Sequence, residues 1–236
     1  MGFLRIKVLK KFFLKIFLSF FFLSIAVVII LRWLNPPVTS FMLQDRLVSL
    51  GEKSRAALHY NWADLKKISP AMQIAVIAAE DQNFLAHRGF DFAAIERALK
   101  HNQKSRRIRG ASTITQQVAK NLFLWRGRSW LRKGLEAYFT VLIELFWDKK
   151  RILELYLNTV ELGKEIFGVE AAARLYFNKP AVKLTSGEAA LLAAVLPNPH
   201  RFSVRNPSPY IIKRKLWILR QMQLLGGINY LTFLKD

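Results

Sequence analysis

Cysteine is missing from all 236 residues, which removes disulfide frameworks, thiolate metal sites and cysteine nucleophiles from consideration. Histidine is scarce, at 4, and no compact set of histidines and carboxylates has metal-ligand spacing. Acids are few as well: 16 Asp and Glu stand against 37 Lys and Arg, a formal charge of +21. Such an excess calls for an anionic partner, with phosphate the leading chemistry. No nucleic-acid-binding motif accompanies the charge, so nucleic acid is not the expected partner. Internal repeats, heptads and low-complexity tracts are absent, and no stretch alternates cleanly enough to read as a strand.

What the chain has first is a long apolar run. Ile16 to Leu31 is 16 residues without a charge, extended by Phe12, Phe13 and Leu14 on one side and by Trp33 and Leu34 on the other. With Lys15 and Arg32 snorkelling outward, it reaches the roughly 20 residues that a spanning helix needs. Arg5, Lys7, Lys10, Lys11 and Lys15 precede it, so the positive-inside rule puts the N-terminus in the cytoplasm and everything after Asn35 outside. A cleaved signal peptide fits the same basic start. The anchor is the preferred reading, because the run is longer than a signal core and no small-x-small site follows. Residues 1–34 hold six of the cations and no acid, so the rest still carries +15.

The remainder is long enough for one domain with a substantial core. We read 35–59 as a linker and membrane-proximal segment and 60–236 as the domain. Its signals are helical: Ser69 caps a helix with Pro70 at the first position, and Asp91 caps Phe92 to Lys100. A cationic, mobile loop from His101 to Arg109 is expected next. Thr113 with Gln116 has capping-box spacing, as does Thr185 with Glu188. Trp130 to Trp147 and Lys149 to Asn158 carry helical periodicity, Gly168 precedes an alanine-rich helix, and Ser208-Pro209 starts the last one before Gly226-Gly227. The domain is expected to be mostly α.

Chemistry concentrates in two places. Glu80 and Asp81 fall at the end of an apolar helix, where its partial negative charge disfavours carboxylates. A desolvated carboxyl beside another acid holds its proton more tightly, which suits a general base; two solvated acids near a loop are the plain alternative. The second place is Gly110 to Gln117, where hydroxyls, amides and backbone donors gather at a helix start able to bind sugar or phosphate oxygens. Lys120, Arg128, Arg132 and Lys133 follow, and Glu136 lies one turn after Arg132, within pairing distance. Leu122, Phe123, Leu124, Trp125 and Trp130 interleave with Arg126 and Arg128, which fits a headgroup interface, though core packing explains the apolar residues equally well. Glu154, Tyr156 and Asn158 read best as braces between helices.

Five runs, Glu80 to Asp91, Gly110 to Gln117, Arg132-Lys133 with Glu136, Lys149 to Asn158 and Gly168 to Lys179, occur in the order and spacing of five motifs. On these the chain resembles the peptidoglycan glycosyltransferases of lysozyme-like fold, over roughly residues 60–225. With no penicillin-binding domain in this chain, it is most similar to the monofunctional biosynthetic branch.

That resemblance implies an inverting enzyme that polymerises lipid II into β-1,4-linked glycan and releases polyprenyl diphosphate. Glu80 carries over as general base and Glu136 as the second catalytic glutamate, orienting sugar and cationic groups. Asp81, His87, Ser112, Thr113, Gln116, Gln117 and Asn121 carry over as substrate-site or supporting residues. Lys120, Arg128, Arg132 and Lys133 are the cations for the diphosphate. The segment from about 101 to 130 matches the family's mobile jaw. Implied partners are lipid II, the growing glycan strand and the bilayer of the bacterial inner membrane, with other cell-wall synthases or division proteins left open. No cofactor is required by the sequence. A divalent ion such as Mg²⁺ bridging the diphosphate to an acid such as Asp81 is also left open.

Overall fold

A computed structural model describes residues 2–49, 57–105 and 110–234, with side chains described from Leu9 to Thr232 within those ranges. The chain forms two units, Met1–Pro36 and Pro37–Asp236. The first is one helix, α1 (Gly2–Leu31), whose apolar stretch Leu9–Leu31 is 23 residues long. At 1.5 Å per residue that is about 35 Å, enough to cross a bilayer core.

The second unit is mostly helical. Its helices are α2 (Ser40–Ser49), α3 (Pro70–Glu80), α4 (Phe92–Lys104), α5 (Ile114–Phe123), α6 (Trp130–Phe146), α7 (Lys149–Thr159), α8 (Val169–Phe177), α9 (Ser186–Val195) and α10 (Pro209–Leu224), followed by a 3₁₀ segment from Gly227 to Leu234. The starts read from sequence are where the caps are. Ser69 accepts from the Ala71 amide, Asp91 from Ala94, Thr185 from Glu188 and Ser208 from Ile211. Each cap satisfies an amide that the helix leaves unbonded.

The core lies around α3. Every residue from Ala71 to Ala78 is buried, and all are apolar except Gln73, whose amide donates to the Leu65 and Ile68 carbonyls, as suits an internal helix. The alanine-rich α9 packs against it, and α10 lies over both; α5 packs on α6 and α7.

Two features were not expected from sequence. A small sheet of order β1-β3-β2 joins His59–Tyr60 (β1), Glu161–Gly163 (β2) and Ile166–Phe167 (β3), with β1 parallel and β2 antiparallel to β3. The segment read as a linker contributes α2, which packs on α5. Ser40 Oγ and Gln44 Nε2 both donate to the Leu124 carbonyl, at 2.7 and 3.0 Å, and the Arg126 amide donates back to Gln44 Oε1 at 2.8 Å.

The bracing role of α7 is borne out. Glu154 accepts from the Leu65 amide at 2.8 Å and pairs with Arg151. The buried Asn158 accepts from Ala63 N at 2.8 Å and donates to Ala63 O at 2.9 Å and Glu154 O at 2.8 Å. A Cβ on Gly168, at φ +81°, would lie 2.7 Å from the Asn158 carbonyl, so only glycine fits there. Asn158→Ala strands both polar groups of Ala63 away from water, and we expect it to cost about 2 to 4 kcal/mol in denaturant titration.

Candidate active site

The site begins where α3 stops. Glu80 is its last residue and Asp81 its C-cap, and the two side chains diverge. Asp81 is buried and turns inward: Oδ1 lies 2.7 Å from His87 Nε2, and Oδ2 accepts from the Ile114 amide at 2.9 Å. That amide is the first of α5, so Asp81 shares the capping of this helix with Thr113, whose side chain accepts from Gln116 N and donates to the Gly89 carbonyl at 2.7 Å. Gly89, at φ +84°, makes the turn, and a Cβ there would lie 2.7 Å from Thr140. The loop between α3 and α4 is thus locked to the start of α5.

That lock puts Gln117, one turn into α5, against Glu80. Its Nε2 donates to Glu80 Oε2 at 2.9 Å, while Tyr156 Oη donates to Gln117 Oε1 at 3.4 Å. Burial, with Glu80 and Asp81 nearby, pushes the Tyr156 phenol well above its usual range, so it stays a donor. The other Glu80 oxygen receives Arg214 Nη2 from α10 at 3.4 Å. Burial raises the Glu80 carboxyl above the ordinary glutamate range, with Gln117, Arg214 and Lys120 opposing the rise and Asp81 adding to it.

Glu80 opens onto a cleft of about 760 Å³, which Asp81, Ser112, Thr113 and Gln117 also line. Arg97 and His101 of α4 and Tyr210, Arg214 and Trp217 of α10 complete its sides. Arg214 was missed in the sequence, being 134 residues from its partner.

The remaining predicted residues lie elsewhere. Glu136 is buried on α6 between Arg132 at 2.6 Å and Lys133, so those two cations face the second glutamate rather than the first. Lys120 connects the two regions. Burial lowers its proton affinity, and both Glu136 and Glu80 act on it to restore the charge. Its Nζ also lies 5.6 Å from the Phe41 ring centroid, with the Arg126 guanidinium 4.6 Å from the same ring. Arg128 is exposed; His87, Gln116 and Asn121 do not line the cleft.

Several expectations about the jaw change. His101 to Lys104 form the last turn of α4 rather than a loop, and Arg106, Arg107 and Arg109 lie outside the described residues. Leu122 and Leu124 are core residues and Phe123 stacks on Phe139 at 4.4 Å, which leaves Trp125 and Trp130 as the exposed aromatics of that stretch. Arg126 is held by Asp45 at 2.8 Å and Glu161 at 2.9 Å. Asp81 lines the cleft with Oδ1 facing His87 and Oδ2 accepting from the Ile114 amide, so an ion bridged to it would share oxygens already bonded inside the domain. Among the described residues no group of three or more His, Asp or Glu gathers to hold a metal.

The model of the family described as Transglycosylase matches residues 48–223. The chain belongs to the transglycosylase family. It is 55% identical over 215 residues to a biosynthetic peptidoglycan transglycosylase of Aeromonas hydrophila, covering 91% of each chain. A protein of the same description from Haemophilus influenzae is 53% identical over 227 residues, covering 95% of this chain and 92% of its own. A third, from Pseudomonas entomophila, is 54% identical over 208 residues, 88% of each. Membership makes the chain a glycosyltransferase, and the mostly helical domain agrees with the lysozyme-like fold expected from its motifs.

Proposed function

We propose that this transglycosylase polymerises lipid II, with Glu80 as the base. Its carboxylate takes the proton from the 4-hydroxyl of the acceptor lipid II as that oxygen attacks C1 of the growing chain. The new β-1,4 C–O bond forms while the bond from C1 to the diphosphate breaks, and the electron pair leaves with polyprenyl diphosphate. A single displacement inverts C1. The observation that carries this reading is the Glu80 carboxyl at the cleft, with proton affinity raised by burial and each oxygen held by a donor. Raised basicity makes proton transfer more favourable, and the two donors fix its direction.

The leaving diphosphate needs cations more than an acid. Lys120 is the best supported, because it acts on both glutamates and carries a charge that burial makes poorly solvated. Arg132 and Lys133 contribute through Glu136, which holds them in register on one face of α6. The bilayer supplies the lipid-linked substrate. With α1 as the anchor, its basic end in the cytoplasm and the domain outside, lipid II would be met at the outer surface of the inner membrane. Trp130 is 93% exposed and continues through exposed Leu131, Val141 and Leu145 along α6, an apolar face suited to that surface.

A glycan hydrolase on this fold would need two carboxyls flanking the bond, one protonated as an acid and one ionised. Glu80 would be the acid in that reading, and its ionised partner would be Asp91, which lines the same cleft. Burial works to raise it, yet the Ala94 amide, Asn83 and Arg97 outweigh that and hold it below the usual aspartate range. The deciding experiment is purified chain with lipid II, with and without Mg²⁺. Lengthening glycan together with polyprenyl diphosphate establishes the polymerase, and shortening of preformed glycan supplied in a parallel reaction, without that release, establishes the hydrolase.

Arg214→Gln tests the base separately. Arg214 lowers the Glu80 proton affinity, so its loss raises it further. Activity that needs the ionised carboxylate then disappears at a higher pH on acidification. We expect the acid limb of the kcat/KM profile to move alkaline, with rates recovering toward wild type at high pH.

A further inference from the structure

The cleft wall opposite α5 is built by a helix to which the reaction above assigns only Arg214. Tyr210, Arg214, Trp217 and Gln221 line the cleft together. Their spacings of four, three and four place them in one stripe along α10. Two of the four are aromatic, and each leaves 42% of its surface open. Single exposed aromatics are common on proteins, but these two share a concave wall with the base.

The stripe is also held rigidly. Arg214 reaches Glu80 at 3.4 Å, and about two turns on Gln221 Oε1 accepts from Gln82 Nε2 at 3.2 Å, so Trp217 sits between two ties to the catalytic loop. Tyr210 rests against Phe202, ring centroids 5.5 Å apart. Seven residues of helix separate Tyr210 from Trp217, about 10 Å along the axis and the scale of a disaccharide. Pyranose rings carry axial C–H faces that pack on aromatic surfaces and equatorial oxygens that seek amides at the edges. Asn83 and Gln221 supply such amides on the same lining.

We propose that Tyr210 and Trp217 form a stacking platform for the N-acetylated, β-1,4-linked sugar rings of the glycan strand, keeping that strand beside Glu80 between successive additions. The proposal rests on the glycan-polymerising reading above. It makes retention of the strand, and so the length of the product, a property of α10. Arg214 then serves both parts: it steadies the base and separates the two ring-binding positions by one helical turn on either side.

The test compares the full chain in detergent with Trp217→Ala, Trp217→Phe and Leu216→Ala, the last altering an exposed neighbour outside the cleft lining. Two readouts are needed: the length distribution of glycan made from lipid II, and calorimetric affinity for a lipid-free tetramer of β-1,4-linked N-acetylglucosamine. Trp217→Ala is expected to shorten the mean product about threefold or more and to weaken the tetramer about tenfold. Trp217→Phe keeps a stacking face and should stay within about twofold of wild type, while Leu216→Ala changes neither readout. A folded Trp217→Ala with wild-type product length and tetramer affinity overturns the proposal. So does a Trp217→Phe as impaired as the alanine variant, or a loss of lipid II affinity with tetramer binding intact, which would put the indole on the peptide or the lipid. Failure of the wild type to make any polymer counts against the role of Glu80, and tetramer titration still decides the platform.

Discussion

Glu80→Gln is expected to lower lipid II turnover by about 10² to 10⁴-fold, the range a positioned general base contributes. Glutamine keeps the shape of the side chain but has one acceptor oxygen, so it can accept from Arg214 and meet Gln117 only if that amide turns over to accept in its place; binding of lipid II should persist while chemistry stops. The same substitution should raise stability at neutral pH. Burial raises the Glu80 proton affinity in the folded chain, so the folded state holds this proton more tightly than the unfolded one. Stability from that group is present at low pH and is lost as pH rises through the folded value. Glutamine is neutral throughout and escapes that loss. Melting curves of the two proteins should therefore converge in acid and separate, with the variant higher, toward neutrality. A variant as active as wild type removes Glu80 from the mechanism. A variant that is inactive and also less stable at neutral pH would show that the carboxylate holds the fold together rather than being strained by it.

Much of this arrangement was readable because helix starts are encoded locally. Ser69, Asp91, Thr113, Thr185 and Ser208 each bond to an amide two or three residues away, so a short window of sequence contains the whole interaction. The small sheet was not readable, since strands of two or three residues are too short to display alternation. α2 was missed for a different reason. Its helix is tied down by Leu124 and Arg126, which are far along the chain, and its own pattern is too mixed to declare a face. In the site, motif order identified Glu80 and Gln117, but nothing local could reveal that Arg214 approaches Glu80. Nor could spacing decide whether Arg132 and Lys133 turn toward Glu80 or Glu136. The i to i+3 and i to i+4 relations on α6 allowed the second, and that pairing is the one formed.

Lys120→Met is the sharper probe of the cation side, with an expected fall in kcat/KM of about 10² to 10³, comparable to losing one preorganised donor to a developing anion. Two effects act in the same direction. The ammonium that would meet the diphosphate is removed, and Glu80 loses one of the charges that hold its proton affinity down, so less of it is ionised at a given pH. Stability should change little, for a reason visible on α6. Glu136 keeps Arg132 and Lys133 when Lys120 is gone, so no buried carboxylate is left unpaired, and methionine fills a similar volume. Removing the charge from a poorly solvated site even relieves a desolvation cost. Lys120→Arg restores a cation but with a planar head beside the Phe41 ring, and should recover part of the activity. Raising the pH separates the two effects: the portion of the loss that comes from Glu80 is recovered in alkali, while the portion that comes from the missing diphosphate contact is not. Full recovery at high pH would mean that Lys120 acts only on the base, and the leaving group would then have to be held by Arg128 and the α6 cations instead.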